Sequence, residues 1–371
     1  MRVLVLGGGY AGLLVARHLQ RHLPDYAELV VVDETGTHLI QHEVHRVIRT
    51  PDLADVLTIP LESVLEDATI RTARVTDIDP DAGIVHLDEE SLAYDAAAVC
   101  LGATTTDHGI PGVTEYGLGL KSVADARAIR SATRPLLEDG GRVVVGGAGL
   151  SGIQIAGELA ALRAETGADD RLEIRVLEQK PRVAPGFPDR FQDAVQAQLR
   201  RRGVDVQTGA TIVAADADSV TLADDTHLRT DTFVWAGGIE GSTALDGARP
   251  RVRSDLRWAE DTFIAGDAAE IVDDDGELVP ATAQAAVRAA RVCARNVLAS
   301  LDVEHTSLER FRFDNRGWLV SVGDGAVAQV GPAILTGAPA RALKATVGVR
   351  YLATAGATRE AVRVVRTELY D

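Results

Sequence analysis

Apolar residues along this chain follow the same order twice: a short apolar run, a glycine-rich turn, then apolar positions at helical spacing. The first copy reads RVLVLGGGYAGLLVARHL from Arg2, and the second reads GRVVVGGAGLSGIQIAGEL from Gly141. Short continuous apolar runs are typical of buried strands, and the spacing that follows is typical of a helix. A further apolar strand comes later in each copy, ELVVVD ending at Asp33 and LEIRVLE ending at Glu178. The pattern predicts two similar units of α/β type.

The rest of the pattern continues this duplication. Alternating stretches around a turn at 79–83, and again over 205–224, predict a strand meander in each half. Each meander is followed by a buried strand, AYDAAAVCLGAT and DTFVWAGGI, whose LGA and AGG ends occupy matching places. Further along, DTFIAGDAAE predicts a short strand, and a helix follows from Thr282. The last segment shows two strand-like runs and then a helical tail from about Ala338 to the end.

We therefore expect an α/β protein with two Rossmann-like dinucleotide-binding domains and a C-terminal α+β segment. Residues 260–300 carry no glycine loop of their own, so we expect them to fold back onto the first unit. That would make the first domain discontinuous, comprising 1–112 and 255–310. The second domain, 113–254, would be inserted between its halves, and 311–371 would form the C-terminal segment, facing a membrane or a dimer partner.

Both glycine loops have the spacing G-x-G-x-x-G. In such loops the first glycine permits the tight turn, the second lets the backbone approach a diphosphate, and the third lets helix and strand pack closely. The helix N-terminus attracts the phosphates, and a carboxylate ending the next strand accepts hydrogen bonds from ribose hydroxyls. The alternative is a pair of units that bind no nucleotide. The candidate residues are Gly7, Gly9, Gly12 and Asp33 in the first unit, and Gly147, Gly149, Gly152 and Glu178 in the second.

Composition narrows the function classes. The 371-residue chain has 55 acidic residues against 38 basic ones, of which only three are lysine, giving a net charge of −17. This sign disfavours nucleic acid as a partner. An acidic, lysine-poor surface suits a salt-rich cytoplasm, so we expect a halophilic source. No apolar run is long enough for a spanning helix and no signal peptide precedes the first strand, which predicts an intracellular protein.

The motifs together resemble the flavoproteins with two dinucleotide-binding domains, and within them the type II NADH dehydrogenases. The resemblance covers essentially the whole chain and rests on both glycine loops, WAGGI, FIAGDAAE and PATAQAA. It implies FAD in the first unit, NADH in the inserted one, and a quinone as electron acceptor. By the same resemblance Asp267, after Gly266, would bind the ribityl chain of FAD; the alternative role for this pair is a helix N-cap. Backbone at Ala283 and Gln284 would face the flavin, where a helix N-terminus stabilises negative charge.

Ala103 and Gly237, at the matching LGA and AGG strand ends, are further candidate cofactor-binding residues. Two further positions depart from the family pattern. Many relatives carry a glutamate near the nicotinamide where this chain has Gln154, and a neutral amide cannot exchange a proton. The quinone-site signature AQxAxQ is half present, because its second glutamine corresponds to Arg288. Gln154, Gln284 and Arg288 are the candidate catalytic residues.

The cysteines argue against some relatives, and the histidines raise the question of a metal site. Disulfide reductases of this superfamily need a close cysteine pair, and sulfide:quinone reductases need redox cysteines beside the flavin. Here Cys100 and Cys293 stand far apart in unlike contexts and are interpreted as core residues. The spacing of His38, His42 and His45 would suit a metal on one helical face, but we prefer flavin-edge or packing roles and predict no metal site.

The tail is locally basic in an acidic chain, with Leu343, Val347 and Tyr351 at helical spacing among its apolar residues. From 331 onward it carries six basic residues against three acidic ones: Arg341, Lys344, Arg350, Arg359, Arg363 and Arg366 against Glu360, Glu368 and Asp371. A basic amphipathic helix binds anionic lipid, so we expect peripheral contact with the inner face of the cell membrane. The alternatives are packing on the protein's own body and a homodimer interface.

Our hypothesis is an FAD-dependent enzyme that takes hydride from NADH and reduces a quinone without a redox disulfide. One alternative keeps the flavin but passes electrons to another acceptor, a ferredoxin-like protein, a carotenoid-related substrate or a sulfur compound. The other is a non-catalytic flavoprotein that senses NADH. Glu178 favours NADH over NADPH, although Lys180 and Arg182 would soften that preference.

Overall fold

The computed structural model describes residues 1–303 and 307–357 of the chain. These residues form mixed α/β structure with two largely parallel sheets, which confirms the predicted fold class. The calls on Arg359, Glu360, Arg363, Arg366 and the tail's last residues lie outside the described residues. None of the described helices is long and apolar enough to cross a bilayer.

The strands of the described residues are, in chain order, β1 (Arg2–Leu6), β2 (Glu28–Asp33), β3 (Thr37–Leu39), β4 (Thr58–Pro60), β5 (Thr69–Thr72), β6 (Val75–Asp79), β7 (Ile84–Leu87), β8 (Ser91–Ala93), β9 (Ala96–Val99), β10 (Ala103–Thr105), β11 (Gly117–Leu118), β12 (Gly141–Gly146), β13 (Leu172–Glu178), β14 (Asp205–Thr208), β15 (Ile212–Ala215), β16 (Ser219–Leu222), β17 (His227–Arg229), β18 (Thr232–Trp235), β19 (Ile239–Gly241), β20 (Arg251–Val252), β21 (Arg257–Ala259), β22 (Thr262–Ile264), β23 (Glu270–Ile271), β24 (Trp318–Val322), β25 (Gly325–Val330) and β26 (Ala333–Thr336).

The α-helices are α1 (Tyr10–His22), α2 (Ala54–Leu57), α3 (Val113–Tyr116), α4 (Val123–Asp139), α5 (Leu150–Glu165), α6 (Asp189–Arg201), α7 (Ala283–Ser300) and α8 (Ala338–Ala355). Segments of 3₁₀ helix lie at Gln41–Ile48, Pro51–Leu53, Leu61–Ser63, Thr243–Leu245 and Gly266–Ala268.

The first sheet has the strand order β21-β22-β9-β1-β2-β5. All neighbours are parallel except β21, which runs antiparallel to β22. Strand β22 pairs with β9, so the chain after residue 254 returns to this sheet. The strand order reverses beside β1, and such a reversal opens a crevice at the carboxyl ends of the strands. The boundaries at 112, 254 and 310 stay a prediction.

The second sheet is fully parallel, with the order β11-β18-β12-β13-β14. Each half also carries the predicted antiparallel meander, β6-β7-β8 in the first and β15-β16-β17 in the second. The second meander starts later than predicted. Residues 205–208 form β14 of the parallel sheet, and because this edge strand is only partly buried, its sequence looks like that of a meander strand.

The C-terminal segment forms three antiparallel strands, β24, β25 and β26, where the sequence predicts two. Residues 311–317, which contain the start of the first expected strand, are irregular. This sheet packs on α5, and α8 packs on β25. The contact with α5 is close at Gly157, because a Cβ there would overlap the backbone nitrogen of Gly323 in the β24–β25 turn. Helix α5, which follows the second glycine loop, therefore also supports the C-terminal segment.

Candidate cofactor sites

The first glycine loop joins β1 to α1, and its three glycines have three different surroundings. Gly7 has a left-handed φ of +101°, and a Cβ there would overlap the carbonyl oxygen of Cys100. A Cβ on Gly12 would overlap the carbonyl oxygen of Gly7. Gly9 has no atom within 4 Å of a Cβ position, and it precedes α1 without a side-chain cap. Open space therefore lies beside Gly9, the glycine expected to approach a diphosphate, and no side chain caps the amides at the start of α1.

The second glycine loop, between β12 and α5, repeats this geometry. Gly147 has a φ of +99°, and its Cβ position lies 2.6 Å from the carbonyl oxygen of Ala236. A Cβ on Gly152 would overlap the carbonyl oxygen of Gly147, whereas Gly149 again faces open space and precedes its helix without a side-chain cap. Two cradles of the same shape therefore exist in one chain, and each would be filled by a single methyl group.

The carboxylates that end β2 and β13 lie against these loops. Asp33 Oδ2 accepts a hydrogen bond from the Gly8 amide at 2.7 Å, and its Oδ1 accepts one from the Thr35 amide. Glu178 Oε2 accepts from the Ala148 amide at 2.7 Å, and Oε1 accepts from the Lys180 amide. Each carboxylate is thus fixed beside its glycine loop, in the place where the ribose of a dinucleotide would lie.

Asp267 lies in the short 3₁₀ segment after β22 and is half-buried. No hydrogen bond among the described residues reaches its carboxylate, so the alternative N-cap role is wrong. Burial raises the pKa of this carboxyl, although Lys121 and Arg249 pull it back down. A half-buried carboxylate that accepts no hydrogen bond from the described residues fits the role expected of it, to bind hydroxyl groups of a bound cofactor.

Lys121 and Arg249 are the basic residues near Asp267, and the sequence analysis did not identify them. Arg249 donates through Nε to the carbonyl of Asp267 and through Nη2 to that of Ala269, which holds the segment in place. Burial lowers the pKa of the Lys121 amine, and the nearby Asp267 offsets part of that effect. Neither residue belongs to a motif, and only their convergence on Asp267 identifies them.

Helix α7 begins where PATAQAA predicts a helix N-terminus. Thr282 is its N-cap, and the Thr282 hydroxyl accepts from the Ala285 amide at 3.3 Å. This cap leaves the amides of Ala283 and Gln284 available to a ligand at the helix end. The side chain of Gln284 is engaged elsewhere, because its Nε2 donates to the Gly317 carbonyl and its Oε1 accepts from the Arg316 amide.

Arg288 lies one turn further along α7. Its guanidinium donates to the Asp314 carbonyl and forms an ion pair with the Asp314 carboxylate at 3.6 Å. Gln284 and Arg288 therefore both hold the 314–317 connection against α7. The charge of Arg288 is therefore balanced by Asp314, and Arg288 does not place an unpaired cation at the acceptor side.

Gln154, on the first turns of α5, connects the two units. Its Nε2 donates to the carbonyl of His42 at 3.3 Å. The 3₁₀ segment Gln41–Ile48 is also held from α5 and α4, since Arg49 bonds Glu158 at 2.8 Å and Arg130 donates to the Ile48 carbonyl. Gln154, which stands where many relatives carry a glutamate, thus contacts the segment expected to border the flavin.

The histidines of this region do not share one helical face. His38 belongs to β3 and donates toward the first glycine loop, whereas His42 and His45 lie in the 3₁₀ segment that follows. No group of side chains suited to a metal ion occurs among the described residues. The spacing alone was misleading because the chain changes from strand to helix between the first and second histidine.

Buried charges surround the same segment. Glu43 and Lys344 of α8 form an ion pair at 2.7 Å, with both side chains almost fully buried. Burial alone would raise the pKa of Glu43, but Lys344 and its other cationic neighbours hold it below its usual value. Lys344 therefore does not contribute to a basic outer face of the tail, contrary to the sequence expectation.

Both cysteines are buried, Cys100 at the end of β9 and Cys293 in α7. Burial raises the pKa of Cys100 to about 12 and raises that of Cys293 well above its usual value. Protonated, buried thiols do not act as nucleophiles, so the interpretation as core residues agrees with their surroundings.

Ala103 and Gly237 lie after the matching strands β9 and β18. Ala103 starts β10, which pairs with β19 in the antiparallel ribbon between the two units. Gly237 packs under the Trp235 ring, and its carbonyl contacts His108 Nε2 at 3.1 Å. Neither position carries a polar side chain, so a cofactor would meet only their backbone.

Comparison with known proteins is consistent with this arrangement. Demethylphylloquinone reductase NdbB of Synechocystis sp. is 29% identical over 355 residues, which cover 88% of this chain and 86% of that protein. A type II NADH:quinone oxidoreductase of Staphylococcus aureus is 28% identical over 354 residues, or 87% of each chain. Neither resemblance is confined to the glycine loops.

Solved structures share the fold at low identity. The structure of NDH2 from Plasmodium falciparum in complex with NADH aligns with a TM-score of 0.85 at 15% identity, covering 100% of this chain and 98% of that one. A sulfide:quinone oxidoreductase from Aquifex aeolicus aligns with a TM-score of 0.83 at 15% identity, covering 100% and 96%. The family described as pyridine nucleotide-disulphide oxidoreductase matches residues 1–290. The chain belongs to this oxidoreductase family.

Proposed function

We propose that this protein is an FAD-dependent NADH dehydrogenase that passes electrons to a quinone. The observation that carries the proposal is the pair of equivalent glycine cradles, joined through the contact between Gln154 and the His42 carbonyl. Two dinucleotides held by one chain in this way would meet near that contact. The relatives named above as quinone reductases match most of the chain, which supports the choice of acceptor.

Residues of the first unit would hold FAD. Open space at Gly9 and the amides at the start of α1 fit its diphosphate, Asp33 fits the ribose, and the unbonded carboxylate of Asp267 fits the ribityl hydroxyls. The amides of Ala283 and Gln284 would stabilise negative charge on the ring. When bound, FAD supplies the redox chemistry, taking hydride from NADH and giving electrons to the acceptor. The protein would position the rings.

Residues of the second unit would hold NADH. Gly149 and the start of α5 fit the diphosphate, and Glu178 would accept from both ribose hydroxyls while repelling a 2′-phosphate. Arg182 is turned toward Asp193 of α6, with which it forms an ion pair. Because that charge is engaged, Arg182 would soften the preference for NADH less than its place in the sequence predicts.

Electrons would reach the acceptor without a thiol relay. The chain has two cysteines, and both are buried with raised pKa values. Reduction of the quinone would therefore draw directly on the flavin, with one proton taken up from water for each NADH oxidised. Gln154 cannot supply that proton, because an amide does not ionise.

Anaerobic absorbance spectroscopy tests the proposal in two steps. Adding NADH to the yellow protein should bleach the flavin absorbance within seconds, and adding a short-chain quinone should restore it. A flavin that stays oxidised while NADH is shown to bind would overturn the enzyme assignment and favour a sensor. Reoxidation by a ferredoxin or a dye but not by the quinone would keep the dehydrogenase and reject the quinone.

We further propose that the outer face of α8 meets the membrane. Arg341, Arg350 and Val347 are exposed there, Val347 at 54%. Basic side chains beside apolar ones favour an anionic lipid surface. Flotation of the protein with vesicles that contain anionic lipid, compared with neutral vesicles, tests this. Failure to float, together with a dimer in analytical ultracentrifugation, would assign the face to a second copy instead.

The acidic surface supports a halophilic origin. With a net charge of −17, self-repulsion destabilises the folded chain at low ionic strength and is screened at high salt. The midpoint of thermal unfolding should therefore rise between 0.1 M and 3 M KCl. A midpoint that is unchanged or falls would contradict the halophilic assignment.

A further inference from the structure

Gly8, inside the first glycine loop, is held through both of its backbone polar groups. Its amide donates to Asp33 Oδ2 at 2.7 Å, and its carbonyl accepts from His38 Nδ1 at 2.8 Å. A trans peptide is planar, so the amide of the next residue points opposite to that carbonyl. Fixing the Gly8 carbonyl against His38 therefore directs the Gly9 amide away from it. Gly9 itself borders open space, because a Cβ built there would meet no atom within 4 Å.

In the second loop the equivalent carbonyl is held by a backbone amide. Its equivalent residue, Ala148, donates its amide to Glu178 Oε2 at 2.7 Å. Its carbonyl accepts from the backbone amide of Ala184 at 2.8 Å. The two loops therefore share the carboxylate anchor and differ in the second anchor, which is a side chain only in the first loop.

The His38 side chain is hydrogen-bonded to the C-terminal helix α8. His38 is fully buried, and its Nε2 lies 2.8 Å from the hydroxyl of Tyr351 in α8. The Tyr10 ring, in the same glycine loop, packs edge-on against His38 at 5.3 Å and against Tyr351 at 4.8 Å. Burial lowers the pKa of His38 to about 4, so the ring is neutral at ordinary pH.

A neutral imidazole carries one proton, and the geometry says where it lies. The Gly8 carbonyl can only accept, so Nδ1 must donate and Nε2 must accept. Tyr351 then donates its hydroxyl proton to Nε2. The hydroxyl thus stabilises the one tautomer of His38 that can bind the loop.

We propose that His38 and Tyr351 are positioning residues for the diphosphate of FAD, through which the C-terminal helix contributes to cofactor retention. The inference rests on the proposed function, since it takes the first loop to bind FAD. It predicts that changes in α8, remote in sequence from the glycine loop, alter the release of FAD and leave NADH binding unchanged.

The test measures release of FAD from the holoprotein by the rise in flavin fluorescence after dilution. Tyr351→Phe deletes one hydroxyl and should speed release about fivefold, the effect of one net hydrogen bond. His38→Gln places its amide at the position of Nε2, loses the Gly8 contact, and should speed release by at least about tenfold. Tyr26→Phe, at a hydroxyl-bearing ring that is 76% exposed, is the matched control.

His38→Asn separates positioning from simple packing. The asparagine amide can occupy the position of Nδ1 and donate to Gly8, but it does not reach Tyr351. In this background Tyr351→Phe should have no further effect on FAD release. NADH affinity, measured on each variant by titration, should equal that of the unaltered protein because the second loop uses Ala184.

Equal release rates for the unaltered protein, Tyr351→Phe and His38→Gln would overturn the proposal. So would equal losses of FAD and NADH affinity, which would indicate general destabilisation. Failure of the proposed function looks different, because the unaltered protein would then hold no FAD or its flavin would not respond to NADH.

Discussion

The sharpest prediction concerns Gly149, where the fold has room for a methyl group but a bound diphosphate would leave none. Replacing it by alanine should leave the folded protein and its FAD intact but weaken NADH binding. Gly152, three residues later, gives the contrast. Its Cβ would overlap the carbonyl oxygen of Gly147, so Gly152→Ala must displace backbone.

The size of the Gly149→Ala effect follows from its geometry. Gly149 has φ −69° and ψ −179°, values that alanine adopts without strain. The lower entropy of the unfolded chain stabilises the variant by about 0.4–1 kcal/mol, and the poorer N-cap costs about 0.5 kcal/mol. The free energy of unfolding should therefore change by less than about 1 kcal/mol. Loss of one charge-assisted hydrogen bond to the diphosphate costs about 1.5–3 kcal/mol, or about 10- to 150-fold in affinity.

Anaerobic stopped-flow reduction of the flavin, measured against NADH concentration, gives the affinity, and urea unfolding gives the stability. Gly149→Ala should keep one FAD per chain and its unfolding midpoint, with the NADH dependence moved to higher concentration. Gly9→Ala should do the reverse, losing FAD while keeping the second loop. A Gly149→Ala variant with unaltered NADH dependence would refute the assignment of the second cradle.

Three further predictions concern packing, cysteines and pH. Gly157→Ala should lower the free energy of unfolding by about 1–3 kcal/mol, because its Cβ would overlap the β24–β25 turn. Gly348→Ala should raise the free energy of unfolding by about 0.5–1 kcal/mol, because a Cβ at this position within α8 would meet no atom. Replacing Cys100 and Cys293 together by alanine should leave the rates of flavin reduction and reoxidation within about twofold, since buried protonated thiols carry no electrons. Stability should fall by up to roughly 3 kcal/mol as pH drops from 6.5 to 4, because the unfolded chain protonates His38 first and burial holds its folded pKa at about 4.

Each of these has a clear measurement and contrary outcome. Urea unfolding compares the two glycine variants, and equal effects would mean that the C-terminal sheet does not rest on α5. Stopped-flow absorbance follows the cysteine variant, and a large loss of reoxidation alone would indicate a thiol relay. Urea unfolding at several pH values compares the protein with His38→Asn, whose shallower pH dependence is expected; identical profiles would assign the acid sensitivity to other groups.

Much of the site could be predicted because its residues sit in short, local motifs. The order of strand, glycine turn and helix needs only neighbouring residues, and the carboxylate follows at the end of the next strand. Asp267 also follows a strand end, but its expected role rested on the resemblance of FIAGDAAE to a known family. The meander boundary at 205 was missed because a half-exposed edge strand of a parallel sheet has the same alternation as a meander strand.

Other features depend on contacts between distant segments, which no local pattern encodes. Lys121 and Arg249 converge on Asp267 from separate parts of the chain, and Lys344 is buried against Glu43 although its helix is basic in sequence. His38 was grouped with its neighbours by spacing, whereas the fold turns it alone toward Gly8.

The sequence by itself determined that two glycine cradles exist and which carboxylate accompanies each. These follow from the backbone freedom of glycine, the period of strands and helices, and the residue types present. Only the tertiary structure decided how the cradles are held. The Ala148 carbonyl is fixed by nearby backbone, but the Gly8 carbonyl is fixed by His38, whose proton is positioned by Tyr351 from a helix more than 300 residues away in sequence. Such a contact depends on how the sheets and the last helix pack, which no segment of the sequence specifies alone.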